Sequence, residues 1–208
     1  MAQLEFLRVL PPRWDVGRCM GAKPPLKPKH VWGIRYHLKA MRRVRDLALF
    51  NCAIDAKLRG CDLVKLRVSD VAPGGLPRDR AAVVQHKTGQ PVPFEITEST
   101  QSALIAWLAE RGQRSDDWLF PHSRRPGAHI STGQYRKLLC EWLSAIELDP
   151  KVYGTHSLRR TKVALIYRQT GNLRACQLLL GHKKIESTVR YLGIEIDDAI
   201  TLSAQLDL

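Results

Sequence analysis

The 208 residues, 44% of them hydrophobic, suffice for one sizeable core, and no apolar run reaches the roughly 18 residues of a membrane-crossing helix. Lys and Arg outnumber Asp and Glu by 33 to 20, a formal net charge of +13. That balance points to an anionic partner, nucleic acid first, with a ribosomal or membrane surface open on charge alone.

Along the chain, residues 1–27 carry Pro11, Pro12, Pro24, Pro25, Gly17 and Gly21 with little periodicity, which predicts an extended, partly mobile basic arm. From Pro28 the pattern turns helical, with Val31, Trp32, Ile34 and Leu38 as its stripe. A second helix is expected over about 42–56, burying Val44, Leu47, Ala48 and Ile54. A short third helix fits 60–66, after which Leu66, Val68 and Val71 alternate. Residues 80–96 form the one good β-hairpin candidate: Ala81 to Val84, a Lys87-Thr88-Gly89-Gln90 turn, then Val92, Phe94 and Ile96.

Helices return at about 98–111 and 131–147, the latter with Tyr135, Leu138, Leu139, Trp142, Leu143 and Ile146 on one face. The loop between them is polar and basic, with His122, Arg124, Arg125 and His129. Thr155 is placed to cap a helix over about 156–169, Asn172 to cap the next, and Gly181 to end it. A short helix then carries Tyr191, and Asp197 opens a last one. The expected class is mainly α with a small antiparallel β-sheet (α+β). Residues 28–193 are expected to form one domain and 194–208 a tail helix.

The charge is unevenly spread. Val16 to Arg45 holds nine basic residues and no acidic one, and Lys151 to Tyr191 nine against Glu186 alone. The sign then flips, with Glu195, Asp197, Asp198 and Asp207 and no base from Leu192 onward. Such runs are often merely solvated faces; here Lys29, Arg35, Lys39, Arg42, Arg43 and Arg160 are the candidate DNA contacts. The acidic tail, apolar at Ile194, Ile196, Ile200, Leu202 and Leu206, is expected to dock on protein, its own domain or a neighbour. Cysteines 19, 52, 61, 140 and 176 are odd in number and form no CxxC pair, which fits a reducing compartment. Without the apolar h-region of a signal peptide, the chain is expected to be cytoplasmic and nucleoid-associated.

Chemistry concentrates late in the chain. His156, Arg159, His182 and Tyr191 follow one another at intervals of three, 23 and nine residues, within THSLRR, LGH and VRYLG. A phosphodiester resists attack because its anionic oxygens repel nucleophiles and gain charge in the transition state, so metal-free cleavage needs fixed cations, a nucleophile and an acid. His156 and Arg159, three apart near a helix start, share one face beside free N–H groups and the positive dipole end. A guanidinium grips two phosphate oxygens at once. Singly these residues read blandly: His182 closes a helix, Tyr191 packs as Tyr153 and Tyr167 do, and Arg59 and Arg159 pair on the surface. A zinc site from His86, His156 and His182 lacks paired ligand spacing and any Cys. The four in this order are specific.

The segment resembles the C-terminal signature of the tyrosine site-specific recombinases, or phage integrases. The resemblance spans about residues 28–200 and implies a mostly helical fold with a small sheet beside the site. It makes Tyr191 the nucleophile of a 3′-phosphotyrosyl intermediate, His156 the base and His182 a phosphate hydrogen-bonder. Arg59 in LRGCDLVKLRVSD becomes the second phosphate clamp, Asp62 its brace, and Lys87 in HKTG the general acid. No metal or other cofactor is implied, and no Walker motif occurs.

The implied partners are double-stranded DNA with inverted-repeat sites and further copies of the chain, two per site and four in the synapse. Only some 27 residues precede the catalytic region, too few for the helical core-binding domain many members carry, so the arm or an accessory DNA-binding protein would complete the clamp. Two other readings stand beside recombination: type IB topoisomerase-like strand relaxation, and a non-catalytic DNA-binding regulator.

Overall fold

The computed structural model describes residues 23–112, 117–194 and 204, so most of the arm and the expected tail helix lie outside the described residues. Nine helices and one hairpin follow in chain order among them. Helix α1 (Pro28–Ala40) opens with proline at its first turn, where a missing N–H costs nothing. It buries Val31, Ile34 and Leu38. Trp32, expected on that stripe, is 65% exposed instead, because one step along a helix turns a side chain by about 100°. The Arg35 guanidinium lies 5.3 Å from its ring centre.

Helix α2 (Val44–Ala56) is the centre of the fold. Every residue from Ala48 to Ala56 is buried, since α1, α5, α7 and the sheet pack around it. The sequence pattern shows only part of that burial, because the helix also takes Asn51 and Asp55 inside. Both are satisfied there: Asn51 Nδ2 donates to the Ser99 carbonyl, and Asp55 Oδ2 accepts from Thr97 and Thr100.

Helix α3 (Gly60–Leu63) is shorter than expected, and the alternating Leu66, Val68 and Val71 run into a second single turn, α4 (Val68–Val71). The hairpin forms as expected. Strands β1 (Arg80–Val84) and β2 (Pro91–Glu95) are antiparallel, with Ala81 opposite Phe94 and Val83 opposite Val92. Its turn closes through Gln85 N–H to Gln90 O at 2.9 Å and Gly89 N–H to Gln85 O at 2.8 Å, with Gly89 at φ 63°.

Helices α5 (Glu98–Arg111) and α6 (Thr132–Ser144) complete the main body. Ser131 and Gln134 cap α6 reciprocally, side chain to main chain, at 3.0 and 2.9 Å. Helix α7 (Thr155–Thr170) departs from expectation by one residue: Thr155 is its first helical residue and Gly154 its cap, with the Gly154 N–H donating to Ser157 Oγ. Asn172 caps α8 (Leu173–Leu180) through a 2.9 Å bond from the Ala175 N–H, and Gly181 ends it at φ 64°. Helix α9 (Ile185–Leu192) carries Tyr191.

The apolar interior is in two parts. A large core includes Phe50, Leu104, Phe120, Tyr135 and Trp142, while a small one holds Val163, Cys176 and Leu180, edged by Tyr167, Tyr191 and Leu192. The described end of the arm is not free of the domain: Leu26 is buried and its N–H bonds Thr161 Oγ1 at 3.0 Å. Among the described residues no helix is long and apolar enough to cross a membrane.

Candidate active site

Arg159 stands where the two cores meet. Its Nε donates to the Lys57 carbonyl and its Nη2 to the Leu180 carbonyl, both at 2.7 Å, and the residue is 3% exposed. Lys57 presents that carbonyl because it ends α2 in the left-handed region, φ 51°. Arg59, just before α3, is close enough to press electrostatically on Arg159, and its Nη1 donates to Gln85 Oε1. Two cations held this near repel, so their position rests on acceptors supplied by the fold. Asp62 offsets part of the repulsion by its charge. It is buried, and its Oδ1 accepts the His86 N–H at 3.0 Å, tying α3 to the hairpin turn, while Oδ2 is buried without a partner.

Tyr191 reaches this cluster from α9. The Arg160 and Arg159 guanidinium carbons lie 4.6 and 5.5 Å from its ring centre, and the His182 ring meets it edge-on at 5.4 Å. Its hydroxyl donates to the main-chain carbonyl of His156 at 3.4 Å, not to the imidazole. Burial pushes the phenol's pKa up, and the Arg159, Arg160 and Arg59 charges pull it only partly back. At neutral pH it is therefore a phenol that needs a base.

Both histidines are held neutral. Burial, then the charges of Arg159 and Arg59, bring His182 from the ordinary 6.5 to about 4. Burial followed by Arg159, Arg160 and Arg59 lowers His156 in the same way. Nδ1 of His182 lies 3.1 Å from the hydroxyl of buried Thr188, which orients the ring. A neutral imidazole can accept a proton and a hydroxyl can serve either ring tautomer. The cluster thus brings three guanidinium ions, two uncharged imidazoles and a phenol together.

A model of the phage integrase family matches residues 31–195. The chain belongs to the phage integrase family. It is 30% identical over 155 residues to a Bacillus subtilis protein described as probable integrase/recombinase YoeC, covering 74% of this chain and 80% of the relative. It is 31% identical over 160 residues to tyrosine recombinase XerC of Erythrobacter litoralis, covering 76% of this chain but 49% of that one. The chain thus spans about half the length of such XerC relatives. Its fold is similar to the crystal structure of XerA recombinase, with TM-score 0.71, 19% identity and coverage of 88% of this chain and 65% of that one. It is also similar to XerH bound to its difH substrate, with TM-score 0.70, 17% identity and coverage of 90% and 56%.

Within this phage integrase fold, Arg59, Asp62, His156, Arg159, His182 and Tyr191 come together as the sequence leads one to expect. Lys87 stands apart from them in state: it is exposed on the hairpin turn and engages no described residue. The candidate DNA contacts divide. Lys29, Lys39 and Arg42 are exposed, and Arg35 is half-buried, its Nε bonding Asn51 Oδ1 at 2.8 Å. Arg43 pairs with Asp46 and with Glu141. Arg160 is corrected outright: it is 6% exposed, packed on Tyr191 and bonded to the Lys23 carbonyl, because α7 turns that side inward. No group of three or more His, Cys, Asp or Glu is placed to hold a metal among the described residues.

Sequence reasoning missed Gln85, Thr188 and an ionic network beneath Arg159. There the buried Lys57 ammonium meets the Glu95 carboxylate at 2.8 Å, and Lys162 bridges Asp55 and Glu95 at 2.7 and 2.6 Å. Burial alone would raise the Asp55 pKa, but hydrogen bonds from Lys162, Thr100 and Thr97 outweigh it and hold the carboxyl below its ordinary value. The partners lie far apart in sequence, so no local pattern signals them.

Proposed function

We propose that the chain is a site-specific DNA recombinase, an integrase or invertase that cuts and rejoins DNA through a 3′-phosphotyrosyl intermediate. The observation that carries this reading is Tyr191, bracketed by two guanidinium groups and a neutral imidazole with its hydroxyl at the start of α7. In the proposed step Arg59 and Arg159 hold the two non-bridging oxygens of the scissile phosphate, and His182 donates a hydrogen bond to it. The Tyr191 oxygen attacks phosphorus as its proton passes to the His156 ring, which requires the hydroxyl to turn from the main-chain carbonyl it now faces. The P–O5′ bond breaks, and Lys87 protonates the departing 5′ oxygen once the hairpin turn closes on the duplex. One ester replaces another, so no nucleotide is consumed, and attack by a second 5′ hydroxyl reverses the step.

The expected partners are duplex DNA with inverted-repeat sites and further copies of the chain, two on each site and four in the synapse, acting in the cytoplasm at the nucleoid. Exposed Lys29, Lys39 and Arg42 are proposed to meet DNA phosphates. Residues 28–193 act as the catalytic domain in this reading, preceded by a basic arm and followed by an acidic tail. An accessory DNA-binding protein would help to encircle the duplex. The direct test incubates the protein, in excess EDTA, with nicked duplexes cut from inverted repeats beside its own gene and looks for a covalent adduct on denaturing gels. The adduct should form with the wild type and vanish in Tyr191→Phe while mobility-shift affinity holds. An adduct that persists in the variant, or one that needs a metal, sinks the mechanism.

A further inference from the structure

Gln85 is an uncharged side chain that joins the two proposed phosphate clamps. It is wholly buried at the end of β1, two residues before Lys87. Its Oε1 accepts from Arg59 Nη1, and its Nε2 donates to the Leu180 carbonyl at 3.2 Å. That same carbonyl accepts from Arg159 Nη2 at 2.7 Å. The amide orientation is determined by chemistry: a guanidinium has only donors and a carbonyl only acceptors, so the oxygen must face Arg59 and the nitrogen Leu180. The chain Arg59, Gln85, Leu180 carbonyl, Arg159 therefore links one cation to the other through a single amide.

The surroundings are built for this approach. Gln85 also closes the hairpin, with its N–H on Gln90 O and its carbonyl receiving Gly89. Thr88 Oγ1 adds a bond to Oε1 at 3.3 Å. On the other side, a Cβ at Gly181 would stand 2.4 Å from Val92 Cγ2 and 3.3 Å from Gln85 Nε2, and Gly181 is already at φ 64°. Glycine there lets the end of α8 come against the hairpin. The residue type is as particular as its place. A carboxylate could accept from Arg59 but could not donate to Leu180, and it would neutralise the charge the phosphate needs. Leucine would take away the acceptor of the Arg59 Nη1 N–H and leave the Leu180 carbonyl to Arg159 alone.

We propose that Gln85 is a positioning residue for cleavage: it sets the Arg59 fork relative to Arg159 and ties both to the turn that carries Lys87. This rests on the reading of Arg59 and Arg159 as phosphate clamps. Hairpin and clamp then move as one, so engagement of the turn by DNA is felt directly at Arg59.

The test is a double-mutant cycle in single-turnover cleavage of the nicked inverted-repeat duplex, using the full chain. Gln85→Leu should cleave about 10- to 100-fold more slowly, the range for losing a hydrogen bond to a charged group, with unchanged mobility-shift affinity. In an Arg59→Ala background the same change should cost almost nothing further, because its effect runs through Arg59. Gln85→Glu, nearly identical in size, should be slowed at least as much and carries the test should Gln85→Leu fail to fold. Equal losses with and without Arg59 would mean a merely structural role and overturn the proposal. Wild-type rates in Gln85→Glu would overturn it too. Absence of any adduct with the wild-type protein would instead defeat the recombinase reading, and this proposal with it.

Discussion

The two cores of this protein do different work. The large one, around α2, α5 and α6, buries aromatic and aliphatic side chains on every side and holds the Lys57 turn, Arg59 and the hairpin. The small one, beneath α8 and α9, has three fully buried members, and α9 itself buries only Thr188. The proposed cations thus sit on the rigid part and the proposed nucleophile on the lightly anchored part. A helix of eight residues has little stability of its own, so its place depends on a few contacts. A phosphate clamp gains from rigidity, because fixed charges need no reorganisation as the transition state forms. A tyrosine that must attack, stay bound to DNA and be released gains from an element that can shift. Amide exchange should show this directly, with α9 exchanging far faster than the buried half of α2.

Arg159 is the one catalytic candidate bonded to both regions, so its loss should have the largest effect. Arg159→Ala is expected to remove about 3–4 kcal/mol of transition-state stabilisation, the scale of one oxyanion donor, in single-turnover cleavage. Arg159→Lys should fare little better, since an ammonium cannot span the Lys57 and Leu180 carbonyls in the same plane. Near-wild-type cleavage in either variant would remove Arg159 from the clamp.

A matched pair of deletions sharpens the contrast between cores. Leu49→Ala, in the wholly buried part of α2, should cost about 3–5 kcal/mol of unfolding free energy, while Leu180→Ala should cost about 2 kcal/mol, where fewer neighbours surround the gap. Cleavage should follow the opposite order at a temperature where both variants are folded, since only Leu180 lies under the nucleophile. Equal effects on both quantities would mean that the two cores are one cooperative unit.

Acid should act on the small core first. With His182 near 4 and His156 also lowered, the unfolded chain takes up protons before the folded one as pH falls below the ordinary histidine range. The His182 contribution is complete above that range and is lost on approach to pH 4, and that of His156 is likewise lost as pH falls below the ordinary value. Cleavage should accordingly hold to a pH below 6.5, the ordinary histidine value. Arg160→Met removes one of the charges that lower His156, so its acid limb should move upward. An unmoved limb would mean that His156 is not the group titrating. The smallest expected effect is at the start of α8, where Asn172→Ala should cost about 1 kcal/mol by unfolding, the usual value of a cap.

How much of this was legible in the chain depends on range. The helices of the body, the hairpin with its Val83 and Val92 pair, the Asn172 cap and the Gly181 stop are all local matters of period and backbone preference, and the sequence alone determined them. Trp32 escaped because a stripe read one residue too wide looks the same in a list of letters. Thr155 and Gly154 exchanged roles because both suit a helix start. The order and spacing of His156, Arg159, His182 and Tyr191 were likewise enough to point to the phage integrase family. Tertiary structure alone decided which groups satisfy them: the Lys57 and Leu180 carbonyls under Arg159, the Gln85 amide on Arg59, and Thr188 on His182. It also turned Arg160 inward. Thr188 lies only six residues from His182, but the Arg159 and Arg59 contacts join residues 21 to 102 apart, where a buried donor takes whichever acceptor the packing of α2, α7, α8 and the hairpin brings within reach.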